Sequence, residues 1–135
     1  MPYNLTIPGW MPESELKTLE QLAFTLPRNG RMVEVGPFCG RSSWCWSKSA
    51  DPTVKVTCID IWNPAEHPYH PPVVIGDAAA VGPDFGMAEH VDQAVGSLEN
   101  FRRYTSDCHN IDARQGASPR DFKDWNEPLD LVFLD

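Results

Sequence analysis

The chain has 135 residues, 41% of them hydrophobic, and a formal net charge of −8 from 19 acidic and 11 basic side chains. This length suits one domain, and we expect residues 1–135 to form a single one. A nucleic-acid partner is disfavoured, because proteins that bind phosphates present a basic face and this chain has one adjacent basic pair, Arg102 and Arg103.

The four cysteines are Cys39, Cys45, Cys58 and Cys108. They form no CxxC pair, so a structural zinc site has little support, and buried free thiols in a reducing compartment are the default interpretation. The first ten residues lack the basic start and apolar run of a signal peptide, and no run approaches the ~18 apolar residues of a membrane span. We therefore expect a soluble cytoplasmic protein whose partner is a small molecule and not a membrane.

Helix and strand patterns alternate in the first half of the chain. Residues 12–26 carry apolar side chains at helical spacing and predict a helix that stops at Pro27. The apolar run at 33–35 predicts the first strand, residues 42–49 a second helix, and residues 54–59 the second strand.

The second half begins with a segment that shows no period. Residues 62–86 are rich in proline, glycine and small side chains, which is typical of a long lid or binding loop. Beyond it the pattern predicts a helix at 87–104, a weak strand at 111–114, a helical turn after Ser118 and a last strand at 129–134. This alternation favours an α/β fold, a Rossmann-like parallel sheet with helices on both faces.

A glycine turn follows the first strand, where Gly36 and Gly40 precede a helix start near Ser42. A strand, a glycine turn and a helix N-terminus bring backbone N–H groups to the carboxyl end of a strand, where open α/β sheets bind nucleotide-like ligands. The alternative is an ordinary strand-to-helix turn. The GxGxxG fingerprint and the Walker A loop are absent, which disfavours a nicotinamide-dependent oxidoreductase and an NTPase.

Three acidic residues accompany the predicted strands. Glu34 lies inside the first strand, where a buried carboxylate needs a partner, or it is a surface acid at a frayed end. Asp60 ends the second strand and could accept both hydroxyls of a ribose, or it caps a turn. Asp135 follows the last strand, at the tip where a parallel sheet presents its ligands, or it belongs to a disordered end.

Weaker signals lie near the second and third strands. Gly116, Ala117 and Ser118 could admit the edge of an adenine ring, although Ser118 is also a typical helix cap before a proline. Trp62 is the aromatic residue best placed to lie against an adenine. The histidines in or near the long loop match no metal-ligand pattern, and we expect solvated side chains for His67, His70 and His90.

Together these pieces resemble the class I S-adenosylmethionine-dependent methyltransferase superfamily, in its catechol O-methyltransferase-like branch. Residues 33–42, Val-Glu-Val-Gly-Pro-Phe-Cys-Gly-Arg-Ser, are similar to the first motif of that branch. Asp60 matches the acid that binds the ribose, residues 116–118 match the segment against adenine, and residues 129–135 match the fourth strand with an acid near the methyl donor. The resemblance implies S-adenosylmethionine as cofactor and methyl transfer to a small-molecule acceptor.

The resemblance also implies which residues contact the cofactor. Glu34 would stabilise the turn and the amino group of the ligand, and Ser42 would bind its carboxylate. The implied contacts are Glu34, Gly36, Pro37, Phe38, Gly40, Ser42, Asp60, Ile61, Trp62, Gly116, Ala117, Ser118 and Asp135. In the metal-dependent branch of the family, an aspartate at the position of Asp135 is one cation ligand and the other ligands come from later strands. No catalytic residue and no complete metal site is therefore assigned.

The sheet of this family has seven strands and the sequence supplies four, so we expect an incomplete domain. An unpaired apolar strand at 129–134 is a template for association, and we expect a homodimer. The alternative is a non-catalytic Rossmann-like fragment that keeps the cofactor site or acts through association.

Overall fold

The computed structural model describes residues 3–63, 74–77 and 95–135. In chain order its elements are α1 (Glu13–Ala23), β1 (Arg31–Val35), α2 (Arg41–Ser49), β2 (Lys55–Asp60), α3 (Leu98–Tyr104), β3 (Ile111–Gln115), the 3-10 turn Arg120–Phe122 and β4 (Leu131–Leu134). The alternation expected from the sequence is confirmed. Most of the expected loop at 62–86, and the part of the expected helix before residue 95, lie outside the described residues.

The four strands form one parallel sheet in the order β3-β2-β1-β4, which confirms the expected Rossmann-like sheet. β1 is central: Val35 pairs with Ile59 of β2 and with Leu134 of β4. Asp60, at the end of β2, pairs with Gln115 of β3. The carboxyl ends of all four strands therefore meet at one edge of the sheet, and the turns that leave them share that edge.

Local sequence explains where two of the helices begin and end. α1 stops at Ala23, before the predicted end at residue 26, and the chain continues in a turn in which the Leu26 N–H donates to the Ala23 carbonyl at 3.2 Å. Pro27 disfavours helical geometry at Leu26 and so prevents the helix from continuing. α3 begins at Leu98 because the Ser97 hydroxyl accepts a hydrogen bond from the Asn100 N–H at 3.1 Å, as an N-cap does. Residues 95–97 were predicted as helix and are not helical. Among the described residues, no helix has the length and apolar character that crossing a bilayer requires.

One face of the sheet carries the hydrophobic core. Fully buried members of this core come from β1, β2 and each of the three helices, and they include Met32, Val56, Cys58, Leu16, Trp46 and Phe101. Because α1, α2 and α3 all contribute to this single cluster, the three helices lie on the same face of the sheet.

The other face is crossed by residues 116–130, which include the 3-10 turn. Arg114 of β3 points to this face, with its guanidinium carbon 4.9 Å from the centre of the Trp125 ring. Glu127 forms ion pairs with Arg114 (3.5 Å) and with Arg31 of β1 (3.9 Å). Helices were expected on both faces of the sheet. Among the described residues, three α-helices lie on one face and a short 3-10 turn lies on the other.

The 3-10 turn does not use the cap that its sequence suggests. Ser118 was expected to cap a helix starting at Pro119, but the turn begins at Arg120 and no side-chain cap bond forms at Pro119. Instead, the Asp121 carboxylate accepts a hydrogen bond from the Ala117 N–H at 2.8 Å. The Asp121 side chain, inside the turn, thus provides a hydrogen-bond acceptor for a backbone N–H that precedes the turn.

β4 is an edge strand of the described sheet and pairs with β1. Its side chains alternate between the two faces. Leu131 and Phe133 pack against the core, whereas Val132 and Leu134 are 54% and 73% exposed. The edge strand therefore presents an apolar surface on the face that lacks α-helices.

Candidate functional site

The glycine turn after β1 brings three residues into the left-handed region of backbone geometry: Gly36 (φ 85°), Phe38 (φ 54°) and Gly40 (φ 97°). At Gly36 the backbone passes close to the end of β4. A Cβ there would lie 3.0 Å from the Asp135 carbonyl oxygen, which is tighter than side chains normally tolerate. Gly36 is therefore required by a positive φ and by the closeness of two strand ends.

Gly40 is a glycine for a different reason. It is the residue before α2, and a Cβ there would lie 2.7 Å from Thr105 Cγ2 and 3.0 Å from Phe101 Cε2. Its role is close packing of the start of α2 against α3, which corresponds to the ordinary strand-to-helix alternative. The side chains around it are Phe101 of α3 and Thr105 just after α3, and neither lines the cavity described below.

Asp60 ties the tip of β2 to two turns. Its Oδ2 accepts a hydrogen bond from the Phe38 N–H (3.1 Å) and its Oδ1 accepts one from the Trp62 N–H (2.9 Å). Both donors belong to residues with positive φ, Phe38 at 54° and Trp62 at 45°. Residues with such strained backbone conformations are often found at functional sites. Each carboxylate oxygen keeps a lone pair for a further donor.

Glu34 is fully buried within β1, which excludes the interpretation as a surface acid. Its carboxylate accepts hydrogen bonds from the hydroxyls of Ser42 and Ser43 in the first turn of α2. Burial raises the pKa of Glu34 to about 7, and the two hydroxyl bonds oppose that rise. Glu34 is not among the residues that line the cavity described below, and its carboxylate holds Ser42 at the start of α2. Its contact with a ligand, direct or through water, stays a prediction.

A cavity of about 430 Å³ opens at the carboxyl ends of β1 and β4, within the roughly 300–1,000 Å³ typical of ligand sites. One wall is the glycine turn with the start of α2, and the other is the N-terminal segment that leads into α1. The lining residues are Pro8, Gly9, Trp10, Met11, Glu15, Gly36, Pro37, Phe38, Arg41, Ser42 and Asp135.

The charges around this cavity favour a cationic ligand. Glu15 and Asp135 contribute two carboxylates, and the pKa of Asp135 is raised by burial and then by the charges of Glu15 and Asp60. The third charged residue of the lining, Arg41, donates its N–H groups to backbone carbonyls. Trp10 and Phe38 add aromatic faces, with ring centroids 4.9 Å apart, and such faces attract cations.

The structure brings together part of the expected set of residues. Gly36, Pro37, Phe38, Ser42 and Asp135 line the cavity. Glu34 and Gly40 lie behind it, whereas the residues at 60–62 and 116–118 lie along the ends of β2 and β3. There the Gly116 N–H donates to the Asp60 carbonyl (2.9 Å), and the Ile61 carbonyl accepts from Gln115 Nε2 (2.9 Å).

Trp62 occupies a different position from the one expected. Its ring is 4% exposed and packs against Phe101, with ring centroids 4.8 Å apart, whereas it was expected to lie against an adenine. Its Nε1 donates to the Phe38 carbonyl oxygen at 2.8 Å. Trp62 therefore braces the glycine turn from the core side.

Sequence reasoning missed the N-terminal wall of the cavity. The sequence analysis used residues 1–10 only to exclude a signal peptide and assigned no role to Met11. Trp10 is 38% exposed and lines the cavity. A Pro-Gly-Trp turn just before a helix start was the available signal, since such turns bring the backbone close to neighbouring elements.

Metal ligation finds no support in the part of the chain that the structure describes. Residues 3–63, 74–77 and 95–135 contain no group of three or more His, Cys, Asp or Glu side chains arranged to hold a metal ion. His67, His70 and His90 lie outside the described residues.

The sequence matches no protein-family model and no curated protein. Solved structures do share the fold. The O-methyltransferase TomG from Streptomyces achromogenes, in complex with SAM, is 17% identical with a TM-score of 0.59, over 90% of this chain and 43% of that one. The O-methyltransferase from Bacillus cereus in complex with SAH is 13% identical with a TM-score of 0.51, over 90% and 44%. Aeropyrum pernix fibrillarin, with natively bound S-adenosyl-L-methionine, is 13% identical with a TM-score of 0.50, over 88% and 40%.

These similarities establish the fold. The chain has the class I methyltransferase fold, in agreement with the resemblance of its motifs. It spans less than half the length of each of these three chains, between 40% and 44%.

Proposed function

We propose that this chain binds S-adenosylmethionine and forms the cofactor-binding part of a methyltransferase that acts on a small molecule. The observation that carries the proposal is the cavity at the carboxyl ends of β1 and β4, bounded by the glycine turn and by two carboxylates. Structures with the same fold that contain SAM or SAH support it.

The residues present suit the charges of this ligand. Gly36 leaves room for the methionine part where a Cβ would crowd the end of β4. The start of α2 at Ser42 offers backbone N–H groups to the ligand carboxylate, while Glu15 and Asp135 would face its ammonium and sulfonium charges. Asp60 would hold the ribose hydroxyls, and residues 116–118 the adenine, on the neighbouring strand ends.

The chemistry asked of the protein is mainly positioning. When bound, the cofactor supplies a methyl group on a cationic sulfur. The protein has to hold the acceptor atom in line with that methyl group and keep water away. The four cysteines are free thiols, which supports our further proposal of a cytoplasmic location.

A second candidate function follows from the length of the chain. Because the chain spans 43% of the TomG O-methyltransferase, it could keep the cofactor site without turnover and act through association. The two candidates agree on cofactor binding and differ on methyl transfer.

Calorimetric titration with S-adenosylhomocysteine and S-adenosylmethionine tests the proposal. We expect saturable binding in the micromolar range, and about tenfold weaker binding for Asp60→Asn, which removes a charged acceptor while keeping the size of the side chain. Asp60→Asn keeps one acceptor oxygen and therefore one of the two backbone hydrogen bonds to Phe38 and Trp62, whereas Asp60→Ala removes both and is the poorer test.

Asp124→Asn is the matched control, since it removes one exposed carboxylate that is not part of the cavity lining. Absence of heat with the wild-type chain would refute the proposal, and equal affinity of Asp60→Asn would refute the ribose assignment. A methyl-transfer assay on the binding-competent chain then separates the two candidates: binding without turnover supports the second.

We also propose that the chain forms a homodimer through β4. Two copies of this edge strand, related by a twofold axis, can pair their backbone groups and cover Val132 and Leu134 mutually. We expect sedimentation velocity to report a dimer at micromolar concentrations and a monomer for Val132→Lys. Phe24→Lys, which replaces a 61% exposed apolar side chain at the end of α1, should leave the dimer intact. A wild-type monomer would contradict the proposal.

A further inference from the structure

The N-terminal strap, residues 5–11, forms one wall of the cavity without belonging to a helix or a strand. Its regular backbone pairing is an isolated bridge, in which the Gly9 N–H donates to the Val74 carbonyl at 3.0 Å and the Val74 N–H returns a bond at 3.2 Å. A further backbone bond runs from the Gly76 N–H to the Leu5 carbonyl at 2.6 Å. One side-chain interaction binds the carbonyls of the rest of the strap.

That interaction is the buried side chain of Arg41. Nε donates to the Ile7 carbonyl oxygen (2.8 Å), Nη1 to that of Met11 (2.9 Å), and Nη2 to those of Leu5 (3.3 Å) and Val74 (2.6 Å). The three strap carbonyls bracket the part of the strap that lines the cavity.

The energetic setting makes this arrangement specific for arginine. Arg41 is 3% exposed, and burial lowers its pKa to about 10, so the guanidinium stays charged at neutral pH. A buried cation without acceptors would be strongly destabilising, and here backbone carbonyls supply them. A planar guanidinium reaches four acceptors in fixed directions, which a lysine ammonium cannot do.

The strap is also fitted to this side chain. A Cβ on Gly9 would lie 3.3 Å from Arg41 Nε and 3.5 Å from its Cβ and Cδ. Since Arg41 is the first residue of α2, one side chain joins the strap to the helix start beside Ser42. Both walls of the cavity therefore depend on the same residue.

We propose that Arg41 is a positioning residue that fastens the N-terminal strap as a wall of the cavity. Without its bonds the strap detaches from the start of α2, and Trp10 leaves its place beside Phe38. The consequence for ligand affinity rests on the proposed function, whereas the attachment of the strap does not.

Amide hydrogen exchange on the ligand-free chain tests the attachment directly. In Arg41→Lys we expect exchange of the Ile7 and Gly9 amides to accelerate about tenfold or more, while the amides of β2 keep their protection. Arg102→Lys, the same substitution at an exposed position of α3, should change neither.

Two further measurements complete the test. Gly9→Ala adds a methyl group on the strap side of the contact with Arg41 and should accelerate exchange of the same amides. This variant keeps the test valid if an Arg41 variant fails to fold. Affinity for S-adenosylhomocysteine should fall about tenfold in Arg41→Lys. Unchanged strap exchange in both variants would overturn the proposal, and so would a general loss of protection that includes β2. If the wild-type chain binds no S-adenosylhomocysteine, the proposed function fails and the exchange result still decides the role of Arg41.

Discussion

Glu34→Gln should flatten the dependence of folding stability on pH between about pH 4.5 and 7.5. The folded pKa of Glu34 is raised from 4.5 to about 7 by burial. Between these values the folded protein retains a proton that the unfolded chain releases, so the stability of the wild type falls as pH rises through this window. A shift of this size corresponds to up to about 3 kcal/mol of unfolding free energy lost by neutral pH.

Urea denaturation of both proteins from pH 4.5 to 8 measures this effect. The informative quantity is the difference in unfolding free energy between wild type and Glu34→Gln, because the other titrating groups are common to both. We expect the wild type to lose stability relative to the variant as pH rises. A difference that is constant with pH would contradict a buried, proton-retaining Glu34.

Gly40→Ala should be strongly destabilising. The new Cβ would lie 2.7 Å from Thr105 Cγ2 and 3.0 Å from Phe101 Cε2, in a backbone with φ of 97°. Left-handed geometry costs an alanine about 1–2 kcal/mol, and overpacking a core adds about 1–3 kcal/mol. We therefore expect a loss of about 2–5 kcal/mol in the unfolding free energy, measured by urea denaturation.

The chain provides a matched control for this prediction. Gly76 has a similar φ of 100°, but a Cβ there would meet nothing within 4 Å. Gly76→Ala should therefore show only the backbone cost of about 1–2 kcal/mol. Equal losses in the two variants would mean that the packing of α2 against α3 at Gly40 contributes nothing.

The parts of the fold that follow from neighbouring residues could be predicted. The apolar run of β1, the glycine turn and the helix after it are local patterns, and so are the acids at strand ends. From these, the parallel sheet and the contribution of Gly36, Ser42 and Asp135 to one cavity were accessible. The start of α3 was misplaced because apolar spacing outweighed the cap signal of Ser97.

What could not be predicted depends on contacts distant in sequence. The partners of Arg41 lie 30 to 36 residues before it and 33 after it, and no local pattern pairs them. Trp62 was expected at a ligand, but its ring is in the core against Phe101, 39 positions away. The positions of such side chains depend on how distant segments pack together, and a local sequence pattern carries no information on that packing.

The two backbone bonds of Asp60 have a consequence for how such a protein can evolve. One carboxylate binds the backbone of Phe38 and of Trp62, and it is also the group that we propose to hold the ribose. A substitution there that altered recognition would deform the loop at the same time. Selection therefore acts on the structure of the turns and on ligand recognition at the same residue. Changes in specificity are then expected at other residues around the cavity.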